Sequence, residues 1–137
     1  MKFPDLRTKR LGALPRFLMT GGMATLIHWL IMLTLVRAGL DPVAATAIGA
    51  SAGLLANYIG QHRFAFCSPL PHRVTFPRYL AGAGMGWTLN LLSFALLQLA
   101  GATVAFAQIA ATAVVALANY LFAERFVFNE EPTREVQ

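Results

Sequence analysis

The chain has 137 residues, of which 57% are hydrophobic and 12% charged, and its mean hydropathy is +0.58. A soluble domain usually carries about 25% charged residues, so this composition excludes an ordinary soluble globular domain and makes lipid the expected solvent. A net charge of +5 would suggest nucleic acid in a soluble chain. Here the charges sit at the ends of apolar segments, and no nucleic-acid partner is expected.

Crossing a hydrocarbon core of about 30 Å takes roughly 20 apolar residues of helix. Four stretches of that kind are present, at residues 17–36, 43–60, 79–99 and 104–123. Before them runs a basic lead-in, residues 1–15, that contains Pro4 and Pro15 and is expected to be flexible or to lie on the membrane surface. The first apolar run is longer than the core of a signal peptide and is followed by Arg37 rather than a small-residue cleavage site, so cleavage is not expected. Within this run Thr20, Ala24 and His28 are spaced by four and share one helix face.

Gly39 and Pro42 punctuate a tight turn into the second helix. That helix carries Ala45, Gly49, Gly53 and Asn57 at the same spacing, a pattern that lets two backbones approach closely in a membrane. A linker at residues 67–77 follows, and its Pro69, Pro71 and the nearby Pro77 predict a break in the helix. The third helix places Gly82, Gly86 and Asn90 on one stripe, and the fourth places Ala107, Ala111 and Asn119 on another. The polar tail at residues 129–137 is expected to be disordered.

The second half repeats the first. Aligning residues 16–66 with 78–128 requires no gap and gives 16 identities in 51 positions. The phrase Asn57 to Phe66, NYIGQHRFAF, returns as Asn119 to Phe128, NYLFAERFVF, at an offset of 62. Arg16 pairs with Arg78, Arg63 with Arg125, and His28 falls opposite Asn90. Each half contributes two helices, so both enter the membrane the same way round, as a parallel repeat. The expected fold is all-α: a polytopic membrane protein of four transmembrane helices in two parallel tandem helical hairpins. Ten of the eleven Lys and Arg residues fall on one side, Arg37 being the exception, which assigns both termini to the cytoplasm.

Two readings stand for each polar group. Arg16, Arg63, Arg78 and Arg125 lie one per helix at the cytoplasmic ends. They are either interfacial anchors that snorkel to head groups or a phosphate-binding set, since the planar guanidinium fork bonds two oxygens at once. Asn57 and Asn119 lie about 9 Å deeper than their arginines, and His28 and Asn90 about 18 Å deeper, at 1.5 Å per residue. They are either interhelical stitches or a polar track for a hydrophilic substrate. Glu124 is expected to be an interfacial acid paired locally. The lone Cys67 has no partner for a disulfide or a metal site. No hydrolytic triad or phosphate-binding glycine loop is visible, and the glycines of 82–86 lie inside an apolar helix, so neither an enzyme nor a cofactor is expected.

Arg16-Phe17-Leu18 with Gly21-Gly22 and Thr25 at one end, and Asn119-Tyr120-Leu121 with Arg125, Phe126 and Phe128 at the other, resemble the GtrA-like family of small four-helix bacterial membrane proteins. The chain departs from the family's usual residues at Ala24, Ala123, Glu124 and Phe126. The resemblance implies a role in cell-surface polysaccharide assembly at the bacterial inner membrane. The implied activity is movement of an undecaprenyl-phosphate-linked sugar across that membrane for a glycosyltransferase. A scaffold for such an enzyme is the first rival; a small multidrug-type exporter is weakened by the lack of a deep carboxylate in the first helix. Four helices enclose little space, so a homo-oligomer, a dimer, is expected.

Overall fold

A computed structural model of the chain describes residues 6–128, with side chains described from residue 12. Four helices form: α1 (Leu6–Arg37), α2 (Pro42–Gly60), α3 (His72–Leu99) and α4 (Val104–Phe122). All four are long and apolar enough to cross a membrane, and no strand occurs among the described residues. At most 22% of any spanning window is buried. Large apolar side chains such as Leu30, Ile109 and Leu96 are left exposed, as a bilayer solvent permits. The chain divides between Ser68 and Pro69 into two compact units, one hairpin each.

The hairpins share their turn chemistry position by position. In the first, Gly39 takes φ +92° and the N–H of Leu40 bonds back to the carbonyl of Leu35. In the second, Gly101 takes φ +87° and Ala102 bonds to Leu97, each 62 residues on. A positive φ suits glycine, which has no Cβ to clash, and the arrangement closes the orphan carbonyls of the helix end. Asp41 caps α2 by accepting from the N–H groups of Val43 and Ala44, and Thr103 caps α4 by accepting from Phe106.

Small residues hold each hairpin closed. Ala45, Ala107 and Ala111 are completely buried. A Cβ added to Gly49 would lie 2.7 Å from the carbonyl oxygen of His28, and one on Gly53 would lie 2.9 Å from that of Ala24. These contacts are with backbone, so α1 and α2 touch main chain to main chain along this stripe.

Two expectations are corrected. Pro15 does not belong to a flexible lead-in but lies inside α1, and Pro77 lies inside α3, which begins at His72 within the expected linker. Proline removes one backbone hydrogen bond rather than every one, and both prolines sit towards the start of their helices. Arg16 Nε donates to the carbonyl of Gly12 at 2.8 Å, and Thr75 Oγ1 to that of Pro71 at 3.4 Å, adding bonds near each proline. The tail at residues 129–137 lies outside the described residues.

Substituting Gly49 by alanine is expected to destabilise the first hairpin by about 1–3 kcal/mol, the usual cost of overpacking. Gly22→Ala, at a site with nothing within 4 Å, should be neutral or slightly stabilising because alanine favours helix. Thermal unfolding of both variants in detergent distinguishes them.

Candidate functional site at two repeated π-turns

The phrase that occurs twice in the sequence folds the same way twice. α2 ends in a π-turn at Gln61–Ala65 and α4 in one at Ala123–Val127. The N–H of Phe66 bonds to the carbonyl of Gln61, and that of Phe128 to Ala123, each a five-residue step. Ser68 also bonds to the carbonyl of His62 at 2.8 Å. A helix otherwise leaves its last four carbonyls without partners, and near hydrocarbon an unpaired carbonyl is costly. The π-turns provide partners at that boundary. Such wide turns are uncommon and gather at functional sites.

Each turn receives an arginine from the preceding helix of its own hairpin. The Arg16 guanidinium lies over the Phe64 ring, 5.9 Å from its centroid. In the second unit Arg78 Nη1 donates to the carbonyl of Phe126 at 3.2 Å. Phe64 and Phe126 are repeat partners and immediately follow Arg63 and Arg125. Both of those arginines are exposed. Of the four expected phosphate-binding residues, Arg16 and Arg78 contact the turns at Phe64 and Phe126, and Arg63 and Arg125 are exposed on those turns. Glu124 is half-buried within the second turn.

The expected polar track divides by position. His28 packs across Gly49, with Cδ2 2.8 Å from where a Cβ would stand, and its buried Nε2 has no hydrogen-bond partner among the described residues. Asn119 lies on Gly86, its Oδ1 2.6 Å from the Cβ position, and that oxygen is also buried without a partner among the described residues. For these two atoms an interhelical stitch is not what the geometry provides. Asn57 and Asn90 are half-buried in α2 and α3. Among the described residues no cluster of three or more His, Cys, Asp or Glu side chains gathers to hold a metal.

Sequence reasoning missed the contacts of Arg16 with the Phe64 ring and of Arg78 with the Phe126 carbonyl. The signal was present in the repeat: the Arg-Phe pair of each turn is matched at the same offset as the arginine it receives. A family model for the GtrA/DPMS transmembrane domain matches residues 16–128, the same bounds as the two repeats. The chain belongs to this family. No curated protein and no solved structure matches the sequence. As a GtrA/DPMS-family protein it is a multi-pass membrane protein.

If Asn119 serves a substrate rather than the fold, Asn119→Ala should leave stability unchanged within about 1 kcal/mol, because no partner is left unsatisfied by its removal. Unfolding in detergent checks this; a loss of about 2–3 kcal/mol would return Asn119 to a structural role.

Proposed function

We propose that the protein translocates undecaprenyl-phosphate-linked sugar across the bacterial cytoplasmic membrane, with both termini cytoplasmic, for a glycosyltransferase that builds or modifies cell-surface polysaccharide. The observation that carries this reading is the repeated placement of an arginine at the phenylalanine of a π-turn, the Arg16 guanidinium over the Phe64 ring and Arg78 Nη1 donating to the Phe126 carbonyl. A translocase for such a lipid must capture an anionic head group at the inner leaflet. It must also give the sugar polar partners and leave the prenyl chain in apolar surroundings.

Guanidinium groups are suited to phosphate because they bond two oxygens at once. Arg16 and Arg78 are oriented by their contacts, while the exposed Arg63 and Arg125 are free to reach a ligand. The buried Nε2 of His28 and Oδ1 of Asn119 offer one polar atom each to sugar hydroxyls, at a depth where water is scarce. The extensive exposed apolar surface is compatible with a homodimer as well as with lipid. The role is non-catalytic: it moves a substrate without breaking a bond in it.

The test is transbilayer movement of labelled lipid-linked sugar in vesicles containing only the purified protein. Arg63→Ala and Arg125→Ala should each slow movement about tenfold or more, since a charge-assisted hydrogen bond contributes about 1.5–3 kcal/mol. Both variants should remain folded, because neither side chain bonds another described residue. A folded wild type that moves no lipid would replace transport with the role of a glycosyltransferase scaffold.

A further inference from the structure

The two hairpins have the same backbone plan but differ where α1 meets the end of α2. There the first unit contains a groove of about 230 Å³, whose walls include Met19, Thr20, Met23, Ile27, Gly60 and Phe64. Thr20 turns its hydroxyl to the carbonyl of Phe17, at 2.8 Å, and presents its methyl to Gly60, where an added Cβ would lie 2.8 Å from Cγ2. The polar atom is thereby withdrawn from the wall. Phe64, at one end of the groove, is the ring over which Arg16 stacks.

In the second unit the repeat partners are exchanged in size. Gly82 stands for Thr20 and Phe122 for Gly60. The Phe122 ring lies against Gly82, with Cδ1 2.8 Å from where a Cβ would stand, and tilts onto Phe126 with centroids 5.4 Å apart. The space that is open beside Gly60 is occupied by the unit's own phenylalanine. Both units carry the cationic turn, and the groove described lies in the first.

We infer that the groove of the first hairpin seats the phosphate-proximal isoprene units of a polyprenyl phosphate, with its phosphate held at Arg16 and Arg63, and that Phe122 closes the corresponding seat in the second hairpin. This rests on the transport reading for the identity of the substrate. Charge complementarity points to an anionic amphiphile: the apolar furrow ends at Phe64, the ring beneath the Arg16 guanidinium. Met19 and Met23, flexible and polarizable, fit the irregular outline of a methyl-branched chain.

The test is photolabelling in vesicles of phosphatidylethanolamine and phosphatidylglycerol, using undecaprenyl phosphate with a diazirine in an isoprene unit near the phosphate. The wild type should be labelled on the α1 peptide carrying Met19, Met23 and Ile27 in preference to the α3 peptide carrying Ala81, Met85 and Leu89. The double variant T20G/G60F installs the side-chain pair that the second hairpin already accommodates. It should reduce α1 labelling about tenfold, equivalent to about 1.4 kcal/mol of binding. Ala56→Leu, which narrows the groove from the opposite wall, should reduce it in the same direction. Equal labelling of the two hairpins, or unchanged labelling in both variants, overturns the inference. So does displacement of the probe by excess phosphatidylglycerol as effectively as by unlabelled undecaprenyl phosphate, which would assign the groove to an acyl chain. Labelling is read without translocation. A protein that fails to move sugar can therefore still show an occupied groove, and unhindered transport by T20G/G60F would remove the groove while leaving the transport reading intact.

Discussion

Main-chain contact between the helices of a hairpin is the constraint on which the rest depends. Inside a bilayer the hydrophobic effect gives helices no reason to associate, because lipid tails are as apolar as leucine. What remains is close van der Waals contact, and that requires small residues. Gly49 against the His28 carbonyl and Gly53 against that of Ala24 provide it in the first hairpin. Gly86 beneath Asn119 and Gly82 beneath Phe122 let side chains of α4 lie against the α3 backbone in the second. With the helices this close, Arg16 and Arg78 come within reach of the π-turns. Wider spacing would take both guanidinium groups away from Phe64 and Phe126.

The same constraint explains how the halves diverged without losing their plan. Thr20 beside Gly60 and Gly82 beside Phe122 are two solutions to one problem, a large residue matched with a small one across the seam. Exchanging which helix supplies the bulk preserves the contact and alters the surface next to it. Duplication thus retained the turn, cap and cationic edge in both hairpins, while the side chains of the seam were free to differ. A groove in one and a filled seam in the other is the result.

The polar atoms within the spans show a different balance. A buried nitrogen or oxygen without a partner costs about 1–3 kcal/mol. His28 Nε2 and Asn119 Oδ1 bear such a cost among the described residues. Close packing across Gly49 and Gly86 holds both side chains in place and offsets part of it.

Much of this protein was legible in its sequence. Four apolar runs fix the number of spans, since backbone groups in hydrocarbon must bond within their own helix. The gapless repeat fixes the hairpin plan, and the spacing-by-four of glycine and alanine fixes the seam. Arg63 and Arg125 could be assigned to helix ends by counting, whereas Arg16 and Arg78, expected at helix ends too, lie inside α1 and α3 because both helices begin earlier than the apolar runs. The helical states of Pro15 and Pro77 could not, because a proline's effect depends on whether its neighbours supply the missing bond. Nor could the π-turns, where an i to i−5 step replaces i to i−4 with no distinguishing composition. Only the tertiary structure decided that Arg16 stacks on Phe64 and that Gly60 opens a space Phe122 fills. Those facts depend on which side chains meet across two helices, and a linear spacing records only which residues share one.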